Sequence, residues 1–227
     1  MRQRYALVVA VLLSAFAAAS VPAAPSPQPV GGTILPLQLT SPPELKHIGP
    51  EHADECMLVY MSEDPAPTSY YAPGAFVEVA DDLHTVLTEP QALCAVDIGY
   101  FSPTGPTDII VTFYDNAGDA PPVAVTAGSF PLPGAPMGAN FVHVELPVGI
   151  VTPSTWMGVA FSNPDAGLII SEFPTVGTSH DYHYETPPGD YFFLGGDPLA
   201  NYWLGVYTSP SVQTESATWG KVKAIYR

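Results

Sequence analysis

Two cysteines, six histidines and 22 carboxylates hold most of the reactive chemistry in this sequence. Cys56 and Cys94 are the whole thiol complement, and an isolated pair of this kind in an oxidising compartment forms a disulfide. Closing a loop of that length constrains the unfolded chain by about 4 kcal/mol in the chain-entropy account. Four histidines, His47, His52, His84 and His143, are scattered, and two are close together in His180-Asp181-Tyr182-His183. Positions 180 and 183 face opposite ways on a strand, so a zinc ion shared between them requires a loop, and zinc usually takes three or four such ligands. The segment therefore reads as a solvated loop. Calcium suits an acidic exported domain better, because it takes carboxylate and carbonyl oxygens. Asp81 and Asp82 are the candidates for a structural calcium, with Asp115-Asn116-Ala117-Gly118-Asp119 a further source of oxygens. Neither follows the twelve-residue calcium loop with its distal glutamate, and Asp and Asn also build turns without metal.

Aromatic residues crowd the last third of the chain, among them Tyr182, Tyr184, Tyr191, Phe192, Phe193, Tyr202, Trp203 and Tyr207. Along 200–206, Tyr202, Leu204 and Val206 form the core face, which turns Trp203 and Tyr207 to the other side. Rings exposed there would stack on sugars and make a carbohydrate site; otherwise they fill the second side of the strand against a neighbouring loop. Signatures of catalysis are missing: there is no G-x-S-x-G, H-E-x-x-H, phosphate-binding G-x-x-x-x-G-K-[ST] or C-x-x-C. A glycosidase needs only two carboxylates at the right separation, and 22 acids single out no pair.

The elements that must position these residues are short and apolar in alternation. Ile109, Val111 and Phe113 alternate with Ile110, Thr112 and Tyr114, and Val142, Val144 and Leu146 with Phe141, His143 and Glu145. Val222, Ala224 and Tyr226 repeat the pattern near the end of the sequence. Period two marks half-buried strands. Further strands are expected over 56–61, 75–80, 92–101, 156–162, 167–173, 190–194 and 200–207. Turn chemistry separates them at 115–119, Pro131 to Pro136, 163–167 and 195–198. Outside the first residues no segment sustains a helical apolar stripe. About ten short antiparallel strands without helices indicate an all-β sandwich, of jelly-roll type, spanning 55–227.

Ahead of it, Met1-Arg2-Gln3-Arg4, an apolar run to Leu13 and small residues to Ala24 make a secretory signal peptide, 1–23. The apolar run is broken by Ser14 and is shorter than the roughly 20 residues of a membrane span. Residues 24–54, dense in proline, read as a tether. The formal net charge is −16. Without the leader, Lys46, Lys221, Lys223 and Arg227 face 22 acids, four against 22, or −18. No lysine or arginine occurs between 46 and 221, which excludes nucleic acid as a partner and disfavours anionic membranes.

Val79-Ala80-Asp81-Asp82-Leu83, Val96-Asp97-Ile98-Gly99-Tyr100-Phe101, Val111-Thr112-Phe113-Tyr114-Asp115-Asn116, Val144-Glu145-Leu146-Pro147 and Trp156-Met157-Gly158-Val159-Ala160-Phe161 carry a resemblance. Over about 70–226 the chain resembles exported bacterial β-sandwich domains of the kind found in proteins with PEP-CTERM or dockerin anchors. That resemblance implies a secreted, extracellular sandwich and no particular activity. The expectation is a non-catalytic structural or interaction module whose partner is an extracellular glycan or protein. A carbohydrate-binding module and a jelly-roll polysaccharide hydrolase are the alternatives.

Overall fold

A computed structural model describes residues 32–39, 41, 44–48, 56–115, 124–146, 149–180, 183–186, 190–192 and 201–209. The signal segment and the strand anticipated at 220–227 lie outside the described residues, as do positions 116–119 of the acidic turn. Seventeen strands follow in order: β1 (Thr33–Pro36), β2 (Leu45–Ile48), β3 (Met57–Ser62), β4 (Ser69–Ala72), β5 (Glu78–His84), β6 (Gln91–Ser102), β7 (Thr107–Asp115), β8 (Ala124–Ala135) and β9 (Gly138–Glu145). Then come β10 (Ile150–Val151), β11 (Ser154–Phe161), β12 (Gly167–Ser171), β13 (Pro174–Val176), β14 (His183–Thr186), β15 (Asp190–Phe192), β16 (Asn201–Tyr202) and β17 (Leu204–Thr208). No helix occurs among the described residues.

The strands form a β-sandwich. An eleven-stranded sheet runs β1-β4-β12-β6-β17-β3-β13, with β9 and β10 also on β6, β2 on β9, and β16 on β12. A six-stranded sheet runs β15-β14-β5-β11-β7-β8. Among the described residues, the strands pair antiparallel except β2 with β9, and the isolated bridge Ala75–Phe161 is also parallel.

The alternating residues meet between the sheets. Ile109, Val111, Phe113, Met157, Val159 and Phe161 of the smaller sheet face Val96, Ile98, Val142, Val144, Leu204 and Val206 of the larger, in one buried cluster. Period two places these side chains on one face, and burying them supplies the main stabilisation, at about 25 cal/mol per Å² of apolar area removed from water.

Cys56 and Cys94 are disulfide-bonded, with Cα atoms 6.0 Å apart. Strands β6 and β3 flank β17, and the register of β17 shifts on both sides near Tyr207. The bridge ties β6 to the residue just ahead of β3, beside the end of β17.

Two regions differ from their sequence reading. The tether of 24–54 contains β1 and β2, paired to β4 and β9. Leu35, Leu37 and Leu39 alternate there with polar or exposed positions, and with Leu45 they cover a second apolar cluster of Tyr70, Phe141, Ile169 and Trp203 on the outer face of the larger sheet. The prolines had masked this alternation. In the same way, of the segment Pro131 to Pro136, all but Pro136 forms the last part of β8. That strand ends the six-stranded sheet, so its prolines need no donor on the open side, and the register shift between Thr107 and Ile109 absorbs the extra residue.

Candidate functional site

Strand β5 carries Asp81 and Asp82 as neighbours, and the two carboxylates leave on opposite faces of the sheet. They are inside strand β5 and not ahead of it, and with side chains on opposite faces they do not converge on one ion. Asp81 enters the inter-sheet core and is 0 % exposed. Its register partner on β14 is His183, whose Nδ1 is 3.3 Å from Asp81 Oδ1. The His183 ring lies 4.8 Å from that of Tyr202, centroid to centroid. Burial pushes the Asp81 carboxyl up from the usual carboxylate range, and His183 opposes that only in part.

Asp82 goes to the outer face, where it is held from three directions. The Ser179 hydroxyl donates to Oδ1 at 2.9 Å, and the His180 backbone N–H donates to Oδ2 at 2.9 Å. On the same face of β5, His84 places Nε2 3.4 Å from Oδ2, and the His180 ring places Nδ1 3.9 Å from it. The two imidazoles lie 4.2 Å apart with planes inclined by 42°. Trp156 of β11 is the register partner of Asp82 and is fully buried beside it.

This arrangement follows from the loop after β13. Thr178 and His84 exchange two backbone hydrogen bonds, at 2.9 and 2.8 Å, which fasten the loop to the end of β5. Gly177 has φ +78°, and a Cβ there would meet the His84 carbonyl oxygen at 2.5 Å, so only glycine lets the loop come so close. His180 and His183 part company: His180 is half-exposed on the loop, whereas His183 is fully buried in β14, so the reading of 180–183 as a solvated loop fails at His183, which pairs with Asp81 in the core. His180 finds His84 instead, a partner that sequence reasoning left scattered. The signal was present: residues 82 and 84 of one strand share a face. Nothing in the spacing of the sequence joins 180 to them.

A third polar group lies on the outer face of the larger sheet. Asp97 of β6 is fully buried, with His143 Nδ1 of β9 at 2.6 Å from Oδ1 and the Tyr207 hydroxyl donating to Oδ2 at 2.7 Å. Burial and the Asp97 carboxylate both hold the Tyr207 phenol well above its ordinary range. His143 and Tyr207 also meet edge to face, with centroids 5.0 Å apart.

Above this group, Met61, Glu63, Asp64, Thr175, Trp203 and Tyr207 line a concavity of about 600 Å³. The core face of β17 is as expected, with Tyr202, Leu204 and Val206 all buried between the sheets. Of the two readings of Trp203 and Tyr207, exposed stacking rings or rings covered by a neighbouring segment, Trp203 follows the second. Trp203 is only 5 % exposed and meets Phe141 edge to face at 4.9 Å, under the cover of the leucines from β1 and β2. Gly99 makes room for it, since a Cβ there would lie 2.8 Å from the Trp203 Cβ. Tyr207 is half-buried and, with Trp203, lines the concavity.

Fold and site together define the class: an all-β, disulfide-linked sandwich with a histidine–aspartate cluster on each outer face and a third in the core. No family model, curated protein or solved structure matches this chain. No helix among the described residues is long and apolar enough to cross a membrane.

Proposed function

We propose that the chain is an exported, non-catalytic module that acts in the extracellular space by contact, as a structural or interaction domain. The observation that carries this reading is the contrast between its polar groups and its concavity. Asp97 with His143, and Asp81 with His183, are buried aspartate–histidine pairs, Asp97 lying at the base of the hollow beneath Tyr207, and Asp82 is buried beneath the more exposed His84 and His180. Acid–base groups must reach the proton they move, whereas the two pairs are engaged with one another and with tyrosines. The accessible feature beside them is the hollow of about 600 Å³ on the larger sheet, within the usual size range of ligand sites.

A carbohydrate is the second reading, favoured by the lining of that hollow. Glu63, Asp64 and Thr175 offer oxygens to hydroxyl groups, while Met61, Trp203 and Tyr207 supply apolar surface. The test is a broad glycan array probed with the labelled, oxidised chain, repeated with Glu63→Ala/Asp64→Ala. Selective binding lost in the double variant supports a glycan ligand, and silence across the array directs the module to protein partners. Release of reducing sugar from any polysaccharide would overturn the non-catalytic reading.

A further inference from the structure

We propose that Asp82, His84 and His180 form a binding site for a transition-metal dication of the zinc class on the outer face of the smaller sheet. One ligand atom from each residue lies within 4.8 Å of the other two. Donors at about 2.0–2.1 Å around a tetrahedral ion stand about 3.4 Å apart. The His84–Asp82 distance of 3.4 Å already has that value, and the His180–Asp82 distance of 3.9 Å exceeds it by half an ångström. The His180 side chain is 50 % exposed, so it has the freedom to close that gap.

The chemistry of the donors selects the ion. Two imidazole nitrogens and one carboxylate oxygen suit zinc, copper, nickel or cobalt, whereas calcium and magnesium take oxygen shells. Three protein ligands leave the remaining position to water or to a donor from a partner molecule.

The supporting shell is the second, independent observation. Asp82 is 1 % exposed and is oriented by the Ser179 hydroxyl and the His180 N–H, the outer partners that metal-ligating carboxylates require. His84 is fixed by its paired backbone hydrogen bonds with Thr178. The Asp82 carboxylate and the His84 backbone are thus held in place by the fold, and His180 is two residues beyond the fastening at Thr178. This site is on the opposite sheet from the concavity and does not depend on how that hollow is used.

The test is calorimetric titration of the purified, metal-stripped full chain with zinc chloride, and separately with calcium chloride. Cobalt(II) serves as a visible-absorption probe of the ligand field. The expected result is one zinc per chain, no saturable calcium binding, and a cobalt spectrum of low coordination number. His180→Gln changes a half-exposed side chain and leaves the melting temperature of the metal-free chain in place, and it lowers zinc affinity at least tenfold. His84→Ala/His180→Gln abolishes binding. Ser179→Ala keeps all three ligands and weakens zinc binding by about tenfold through loss of carboxylate orientation. Absence of saturable zinc binding, or an affinity unchanged in the His84/His180 double variant, would overturn the assignment. A preference for calcium over zinc would do so too.

Discussion

Replacing Cys56 and Cys94 together by serine removes the covalent link between β6 and the residue just ahead of β3 and leaves every ladder hydrogen bond of those strands in place. The bridge spans 38 positions of sequence. Loop closure over that span lowers the entropy of the unfolded chain by an amount equivalent to about 4 kcal/mol at 25 °C. The native side of the ledger adds a local effect, because the bridge clamps the end of β17 between its two neighbours. Its loss lets Tyr207 and Thr208 fray, where the ladder is already interrupted by register shifts. For a domain of this size, about 4 kcal/mol corresponds to a fall of about 8–16 °C in melting temperature. The assay is thermal and guanidinium unfolding of the oxidised chain and the double-serine variant, followed by far-ultraviolet circular dichroism and tryptophan fluorescence. Adding reductant to the native protein should reproduce the variant. A melting temperature within 2–3 °C of the oxidised protein, about 1 kcal/mol on the same scale, would refute the reasoning, since the constrained loop would then be no more ordered when linked than when free.

Two further outcomes follow from buried side chains. Trp203→Ala empties the centre of the outer-face cluster beneath Leu37 and Leu45 and should cost about 3–5 kcal/mol in urea unfolding; a loss below 1 kcal/mol would mean that the N-terminal strands do not cover the ring. Asp81 has a folded pKa of about 6 against an ordinary 3.8, so the folded state binds its proton more tightly than the unfolded state does. Its favourable contribution is present below the ordinary carboxylate range, near pH 4, and is lost as pH rises through about 6. Asp81→Asn should remove that decline from a plot of unfolding free energy against pH. A variant that instead keeps the full decline over pH 4–6 assigns it to other groups.

The extent to which the sequence disclosed this structure depends on how many jobs each residue type performs. Ile109, Val111, Phe113, Val142, Val144 and Leu146 report only one thing, the buried side of a strand, and all six lie in the inter-sheet cluster. The cysteine pair was equally legible, because two thiols admit one pairing. Proline is ambiguous: it signals a turn or tether by its missing donor, yet on the edge strands β1 and β8 the donor is not needed. Hence Leu35, Leu37 and Leu39 were hidden in plain alternation. Trp203 faced the side its register demanded, but exposure depends on what covers that side, and the cover came from a segment more than 150 residues earlier. The metal cluster was half legible, in the shared face of Asp82 and His84. Its third member depends on a glycine-enabled loop contact that no local spacing encodes.

The proposed interaction role requires the hollow of the larger sheet to be the surface that meets a partner. A two-dimensional ¹⁵N–¹H NMR titration of the oxidised chain with soluble oligosaccharides, and then with candidate extracellular protein ligands, addresses this directly. Saturable shift changes grouped at Glu63, Asp64, Thr175 and Tyr207, with the signals of Ile98 and Val111 unmoved, are the predicted result. Shifts centred on the smaller sheet, or a ligand that binds without disturbing those four residues, would contradict it.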